Sequence, residues 1–223
     1  MPQPTSDSSL NIRGLILVPA LITLGITFLR LGGELAHWSP RFFSPAAGGG
    51  AAVIGISWLP FVLGPYFAIK LTKSGYGAPS LWKAFGTALL GVAIFLAAVF
   101  VGFAPKLNFP GKQLVGYLLL ALAASMVTLG WPALFRVLVA YGYAARIPVA
   151  IVMFFAIRGH WGTHYDVLPP VYRGSTSFFD VYMKIAFLPQ MVLWIALTVL
   201  VGALFGSIVT ALVFRGKMAP ATS

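Results

Sequence analysis

The sequence predicts an all-α polytopic membrane protein whose apolar runs form one bundle of about six transmembrane helices. Composition is the first reason: of 223 residues, 59% are hydrophobic and only 9% are charged, whereas an ordinary soluble domain has about 25% charged residues. The second is a mean hydropathy of +0.92. The third is length, since a bilayer core about 30 Å thick needs ~20 apolar residues per helix, and the chain holds about six such runs.

The apolar runs predict spans that satisfy their own backbone hydrogen bonds as helices. In chain order these spans are residues 14–31, 51–69, 84–104, 114–130, 133–157 and 185–214. Residues 1–13 are predicted to be a polar tail, 14–214 the transmembrane domain and 215–223 a basic tail. The first span is expected to be retained, because no small-residue cleavage site follows it.

The boundary between the fourth and fifth spans allows two interpretations. In the first, residues 131–132 separate the spans and Arg146 lies near the middle of the fifth. In the second, the chain breaks at residues 141–143, the fifth helix begins at Ile147, and Arg146 lies in a turn. The first interpretation is favoured, and it places an arginine at a depth where a charge is costly.

The segment before the last span is predicted to contain a short interfacial helix. Ser177 and Asp180 have the spacing of a capping box, and Asp180 and Lys184 can pair at i, i+4. Pro189 then marks a kink or joint between this helix and the last span.

Charge predicts a lipid partner. The formal net charge is +11, from 15 Lys and Arg against four acids, but the basic residues are scattered singly at the ends of apolar runs. Such residues commonly lie near headgroups and anionic lipid. Because no basic cluster is present, nucleic acid is not an expected partner.

The membrane orientation follows from charge only weakly, because the two sides receive equal numbers of basic residues. The three lysines around the second connection, Lys70, Lys73 and Lys83, favour both termini in the cytoplasm. A bacterial plasma membrane is the expected location.

Several kinds of chemistry are excluded or disfavoured, and no cofactor is predicted. The chain has no cysteine, which excludes disulfides, thiol nucleophiles and iron–sulfur clusters. No Asp, Glu or His lies inside a predicted hydrocarbon core. An intramembrane carboxylate relay and a haem held by paired histidines are therefore disfavoured.

One polar loop offers candidate metal ligands. His160 and His164 are four residues apart, Asp166 follows them, and the first connection, on the same side under the six-span prediction, carries Glu34 and His37. A converging set of these five would suit a metal-dependent enzyme. The favoured interpretation is instead a wet loop with interfacial histidines, because flanking glycines favour a loop and structural zinc sites normally have more closely spaced ligands.

Prolines interrupt two spans that would be the middle helices of two halves. Pro60 and Pro65 lie in the second span and Pro148 in the fifth, a pattern seen where discontinuous helices surround a transport site. Simple kinks are the more common explanation. Together with Arg146, the only strongly polar residue near a span centre, these prolines form the predicted substrate site.

The last span carries a face of small residues, Gly202, Gly206 and Thr210, at intervals of four. Such a face lets another helix approach closely. Packing within the same chain is favoured over dimerisation, so a homo-oligomer is the secondary expectation.

These observations favour binding or transport over chemistry. The preferred hypothesis is a small permease or accessory subunit that handles a small solute, anionic ones included, or a lipid headgroup. The alternatives are a metal-dependent membrane enzyme and a structural subunit of a larger membrane complex.

Overall fold

The structure, a computed structural model, describes residues 10–47, 52–169 and 177–214. In these residues it is a helical bundle. Its helices are α1 (Ile12–Leu35), α2 (Leu59–Lys73), α3 (Leu81–Phe103), α4 (Lys112–Gly130), α5 (Pro132–Gly159) and α6 (Phe178–Val213). All but α2 are long and apolar enough to cross a membrane. The predicted all-α membrane fold is confirmed.

The second predicted span, residues 51–69, is wrong in its bounds. Helix α2 begins at Leu59 and has 15 residues, so it is only about 22 Å long and falls short of a usual span. Residues 52–58 are not helical. Pro60 lies in the first turn of α2, where its missing N–H costs nothing, so it starts the helix instead of interrupting it.

Helix α5 is continuous, which rejects the alternative break at residues 141–143. Helix α4 ends at Gly130, and α5 begins at Pro132 and continues to Gly159. Arg146 therefore lies in a helix interior. Trp131, which lies between the two helices in the chain, is buried, and its indole Nε1 donates to the carbonyl of Tyr76 at 2.9 Å.

The predicted interfacial helix is not separate but forms the beginning of α6, which has 36 residues. Its local signals are nonetheless confirmed. The Ser177 hydroxyl accepts from the Asp180 N–H at 3.3 Å, and Lys184 Nζ lies 2.8 Å from Asp180 Oδ1. At the predicted joint the helix does not break but widens into two π-helical turns, Met183–Phe187 and Pro189–Leu193.

Contacts between helices show their directions. Along α5 the pairs are Leu138 with Gly202, Tyr141 with Thr23 and Arg146 with Gln190, and just beyond α5 comes His164 with Glu34. Helix α1 is therefore parallel to α5 and α6 is antiparallel to it. As a consequence, the beginning of α1 and the end of α6 lie at the same end of the bundle.

The small-residue face of α6 packs against α2 in the same chain. A Cβ added at Gly64 would overlap the backbone of Gly202, and one added at Gly206 would lie 3.0 Å from the Cβ of Ala68. Thr210 is also buried. The close approach of these two helices requires glycine on both, as expected for packing in membranes.

Candidate functional site

A cavity of about 380 Å³ lies between α1, residues 55–57, the end of α3, α5, residues 164–169 and the first half of α6. Most of its lining is apolar. The polar and charged side chains that line it are Thr27, Arg30, Ser57, Arg146, His164, Tyr165, Lys184, Gln190 and Trp194. None of the described lining residues is Asp or Glu, so the charges that line the cavity are positive.

Arg146 is the most unusual of these residues. It is 5% exposed, its Nη1 donates to Gln190 Oε1 at a long 3.4 Å, and its guanidinium carbon lies 4.5 Å from the ring centroid of Trp194. Among the described residues, no carboxylate forms an ion pair with it. A buried charge is costly unless it is paired. Because Arg146 has no such partner among the described residues, its positive charge faces the cavity uncompensated.

Gln190 is a site residue that the sequence analysis missed. It is 7% exposed and lies in the second π-helical turn of α6, and its Nε2 lies 3.5 Å from Met153 Sδ. The available signal was a lone amide side chain directly after Pro189 in an otherwise apolar run. Wide turns of this kind often occur at functional sites because they change which side chains face inward.

A second polar cluster lies beside the cavity at the end of α1, where Arg30 and His164 line the cavity and both bond to Glu34. Glu34 is 4% exposed and accepts three hydrogen bonds, from Arg30 Nε at 2.8 Å, the His164 backbone N–H at 2.8 Å and His164 Nδ1 at 2.6 Å. The predicted first span, residues 14–31, ends before Glu34, but α1 continues through it. The i, i+4 pair with Arg30 stabilises that extra turn.

Burial sets the protonation of the two aromatic side chains next to this cluster. It lowers the pKa of His164, an effect that the hydrogen bond to Glu34 opposes in part, so the imidazole is neutral at neutral pH. Burial also raises the pKa of Tyr165, which keeps its hydroxyl protonated. The two rings are in contact, with centroids 3.8 Å apart, and Tyr165 Oη donates to the carbonyl of Thr27 at 3.3 Å.

The structure brings together only two of the five candidate metal ligands, Glu34 and His164. Asp166 instead accepts from two backbone N–H groups of its own loop, at 2.9 and 2.7 Å. His37 and His160 are exposed and have positive φ values of 54° and 50° where α1 and α5 end. In the described ranges, no three His, Asp or Glu side chains form a group suited to a metal ion.

Of the predicted substrate site, Arg146 lines the cavity, whereas Pro60, Pro65 and Pro148 do not. The cavity adds Trp194, which no feature of the sequence singled out. It also adds two cations at the ends of apolar runs, Arg30 and Lys184. End-of-run cations usually lie at headgroups, so their inward placement needed the tertiary structure.

This chain matches no protein-family model, no curated protein and no solved structure.

Proposed function

We propose that this chain is a small permease or accessory membrane subunit that binds an anionic group at Arg146. The observation that carries the proposal is the buried guanidinium that faces the cavity without a carboxylate partner among the described residues. An anion in the cavity would supply the missing charge, and the planar donors of arginine suit a carboxylate or a phosphate. A solute and a lipid headgroup can both carry such a group.

The other cations of the cavity support this assignment but differ from Arg146. Arg30 Nε lies 2.8 Å from Glu34 Oε1, and Lys184 Nζ lies 2.8 Å from Asp180 Oδ1. Each of these two therefore has an acidic partner and contributes mainly to the local potential. The volume of about 380 Å³ lies within the range of pockets that hold small organic ligands, about 300–1,000 Å³.

The non-helical stretch before α2 favours transport over a purely structural role. Residues 52–58 are not helical, and Gly55 lies against Arg30 of α1. Within a membrane, non-helical backbone is tolerated where it is buried in protein or lines a cavity, and interrupted helices surround the substrate site in many transporters.

For location, the proposal is a bacterial plasma membrane with both termini in the cytoplasm and anionic lipid around the bundle. Two features support the orientation of the termini. The beginning of α1 and the end of α6 lie at the same end, and Lys70 and Lys73 lie in the last turn of α2 near that end. Lysines in short connections favour the cytoplasmic side.

The test measures binding of two anionic amphiphiles, dioleoyl phosphatidylglycerol and oleate, to delipidated protein in a zwitterionic detergent. Arg146→Gln should weaken binding about 10- to 100-fold, since a hydrogen bond to a charged group contributes about 1.5–3 kcal/mol. Arg146→Lys should restore part of it, because lysine keeps the charge but not the planar donors.

The matched control is Arg136→Gln, which removes an exposed arginine from the same helix and should leave binding unchanged. Equal binding by wild type and Arg146→Gln would refute the proposed site.

A further inference from the structure

The imidazole of His164 brings to the cavity a hydrogen-bond acceptor whose role the anion site does not explain. His164 lines the cavity, and its side chain is 15% exposed. Its Nδ1 bonds to Glu34, while its Nε2 forms no hydrogen bond with the described residues. This nitrogen is therefore available to a ligand.

The contacts of Glu34 determine which nitrogen of His164 carries the proton. The carboxylate already accepts from the Arg30 guanidinium and from a backbone N–H, so it is ionised and can only accept from Nδ1. In a neutral imidazole the other nitrogen is then an acceptor. Burial lowers the pKa of His164, and this keeps the ring neutral near pH 7.

We propose that His164 Nε2, fixed by Glu34, accepts a hydrogen bond from a hydroxyl on the ligand, so that the cavity recognises an anion with a neighbouring hydroxyl group. This inference rests on the proposed anion site at Arg146. Both recognition points, Arg146 and His164, line the same cavity, and Tyr165, whose ring contacts His164, lines it with them.

The lone pair on His164 Nε2 explains why the cavity would prefer an anion that carries a hydroxyl. A fully deprotonated anion has only acceptor atoms and leaves Nε2 without a partner, whereas an anion with a hydroxyl satisfies both Arg146 and His164. A site built to bond a hydroxyl discriminates against the analogue that lacks it, because its own polar group is then left unpaired. The shared ligand chemistry is an anionic group with a neighbouring hydroxyl; a phosphodiester that carries a hydroxyl has it, whether in a lipid headgroup or in a free phosphodiester.

The experiment compares two matched pairs of probes on purified protein at pH 7.5. The lipid pair is dioleoyl phosphatidylglycerol and dioleoyl phosphatidylpropanol, which share charge, chains and a three-carbon headgroup but differ in the headgroup hydroxyls. The free pair is glycerophosphoglycerol and dipropyl phosphate. We expect the hydroxylated member of a pair to bind about three- to tenfold tighter, the range of one net hydrogen bond.

Two variants assign that preference to His164. His164→Phe should bind both members of the pair equally, with the affinity for the probe without a hydroxyl unchanged, which also shows that the site is folded. His164→Gln, whose amide oxygen can accept, should keep part of the preference. A preference in the lipid pair identifies a headgroup ligand, and one in the free pair identifies a soluble ligand.

Failure of this inference is distinct from failure of the anion site. If both members of each pair bind equally to wild type, or if the preference persists in His164→Phe, the role of His164 is wrong while the anion site stands. If none of the four probes binds in a manner that Arg146→Gln weakens, the anion site is refuted as well.

Discussion

Replacing Arg146 by methionine should not destabilise the ligand-free protein, although it should greatly reduce stabilisation by anions. Arg146 is buried at 5% exposure in the interior of α5. A residue kept for structure would be well paired there. A residue kept for a ligand is left with unsatisfied charge until the ligand binds.

Three contributions determine how the loss of Arg146 changes the stability of the ligand-free protein. An arginine at the centre of a spanning helix costs about 2.5–3.5 kcal/mol on translocon scales. Against this, the contact with Trp194 at 4.5 Å contributes about 2 kcal/mol in a desolvated setting. The 3.4 Å hydrogen bond to Gln190 is long and contributes about 0.5 kcal/mol. Methionine fills a similar space without a charge, so the net change is between zero and about 1 kcal/mol in favour of the variant.

The assay is thermal unfolding of delipidated protein with and without dioleoyl phosphatidylglycerol. Without lipid, the Tm of Arg146→Met should equal that of wild type or exceed it by about 2–4 °C, the shift that 1 kcal/mol gives in a chain of this size. With lipid at about 100 times the wild-type Kd, wild type should gain about 2.7 kcal/mol, and a variant that binds about 10- to 100-fold more weakly should gain only about 0.4–1.4 kcal/mol. Arg136→Met is the control and should respond to lipid like wild type.

A loss of stability in the ligand-free variant would refute this reasoning. Breaking a well-paired buried ion costs about 3–5 kcal/mol, which corresponds to a fall in Tm on the order of 10 °C. Such a fall would show that Arg146 has a structural partner and that the cavity lacks an uncompensated charge.

Three further predictions concern other parts of the molecule. Burial lowers the pKa of His164 below the value of about 6.5 in an unfolded chain, so acid protonates the unfolded state first. The Tm should therefore fall from pH 7.5 to 5.5, and His164→Phe should reduce that fall. An identical pH dependence in wild type and His164→Phe would contradict this origin. Gly64→Val should lower the Tm strongly, since over-packing costs at least about 1–3 kcal/mol, while Gly86→Val, where an added Cβ meets nothing within 4 Å, should cost far less; equal effects would contradict the packing of α2 on α6. Single cysteines at Ser44 and Ser74 should react with a membrane-impermeant reagent from opposite sides, and labelling from one side would disprove the passage of α2 between the two ends of the bundle.

Composition and local pattern determined the class of this protein and several of its details. With 9% charged residues, the chain can satisfy its surface only in lipid, and lipid admits helices that close their own hydrogen bonds. The helix cap, the ion pair and the close-packing glycine that the sequence predicts are also present in the structure. Ser177 caps α6, Asp180 pairs with Lys184, and Gly202 receives a neighbouring helix, because each depends on residues only a few positions apart or on one helix face.

Helix boundaries were determined only in part. The fifth span keeps Arg146 in its interior as predicted. The second span, however, is a short helix that begins at Leu59, with Pro60 in its first turn. An apolar run shows that a segment can enter the membrane, not whether all of it is helical. Within the non-helical residues 52–58, Gly55 lies against Arg30 of α1 and Gly55, Ile56 and Ser57 line the cavity, a position in which non-helical backbone is tolerated within a membrane.

The site was decided by the tertiary structure. Glu34 and His164 are 130 positions apart, and Arg146 meets Gln190 and Trp194 from a different helix. In a soluble protein the polar face of a helix shows which side is turned away from the core. A helix surrounded by lipid is apolar on all sides, so its sequence does not reveal its rotation, and that rotation is set by close contacts such as Gly64 on Gly202. Only when those contacts fix the helices do the lone arginine, the amide and the histidine face one cavity.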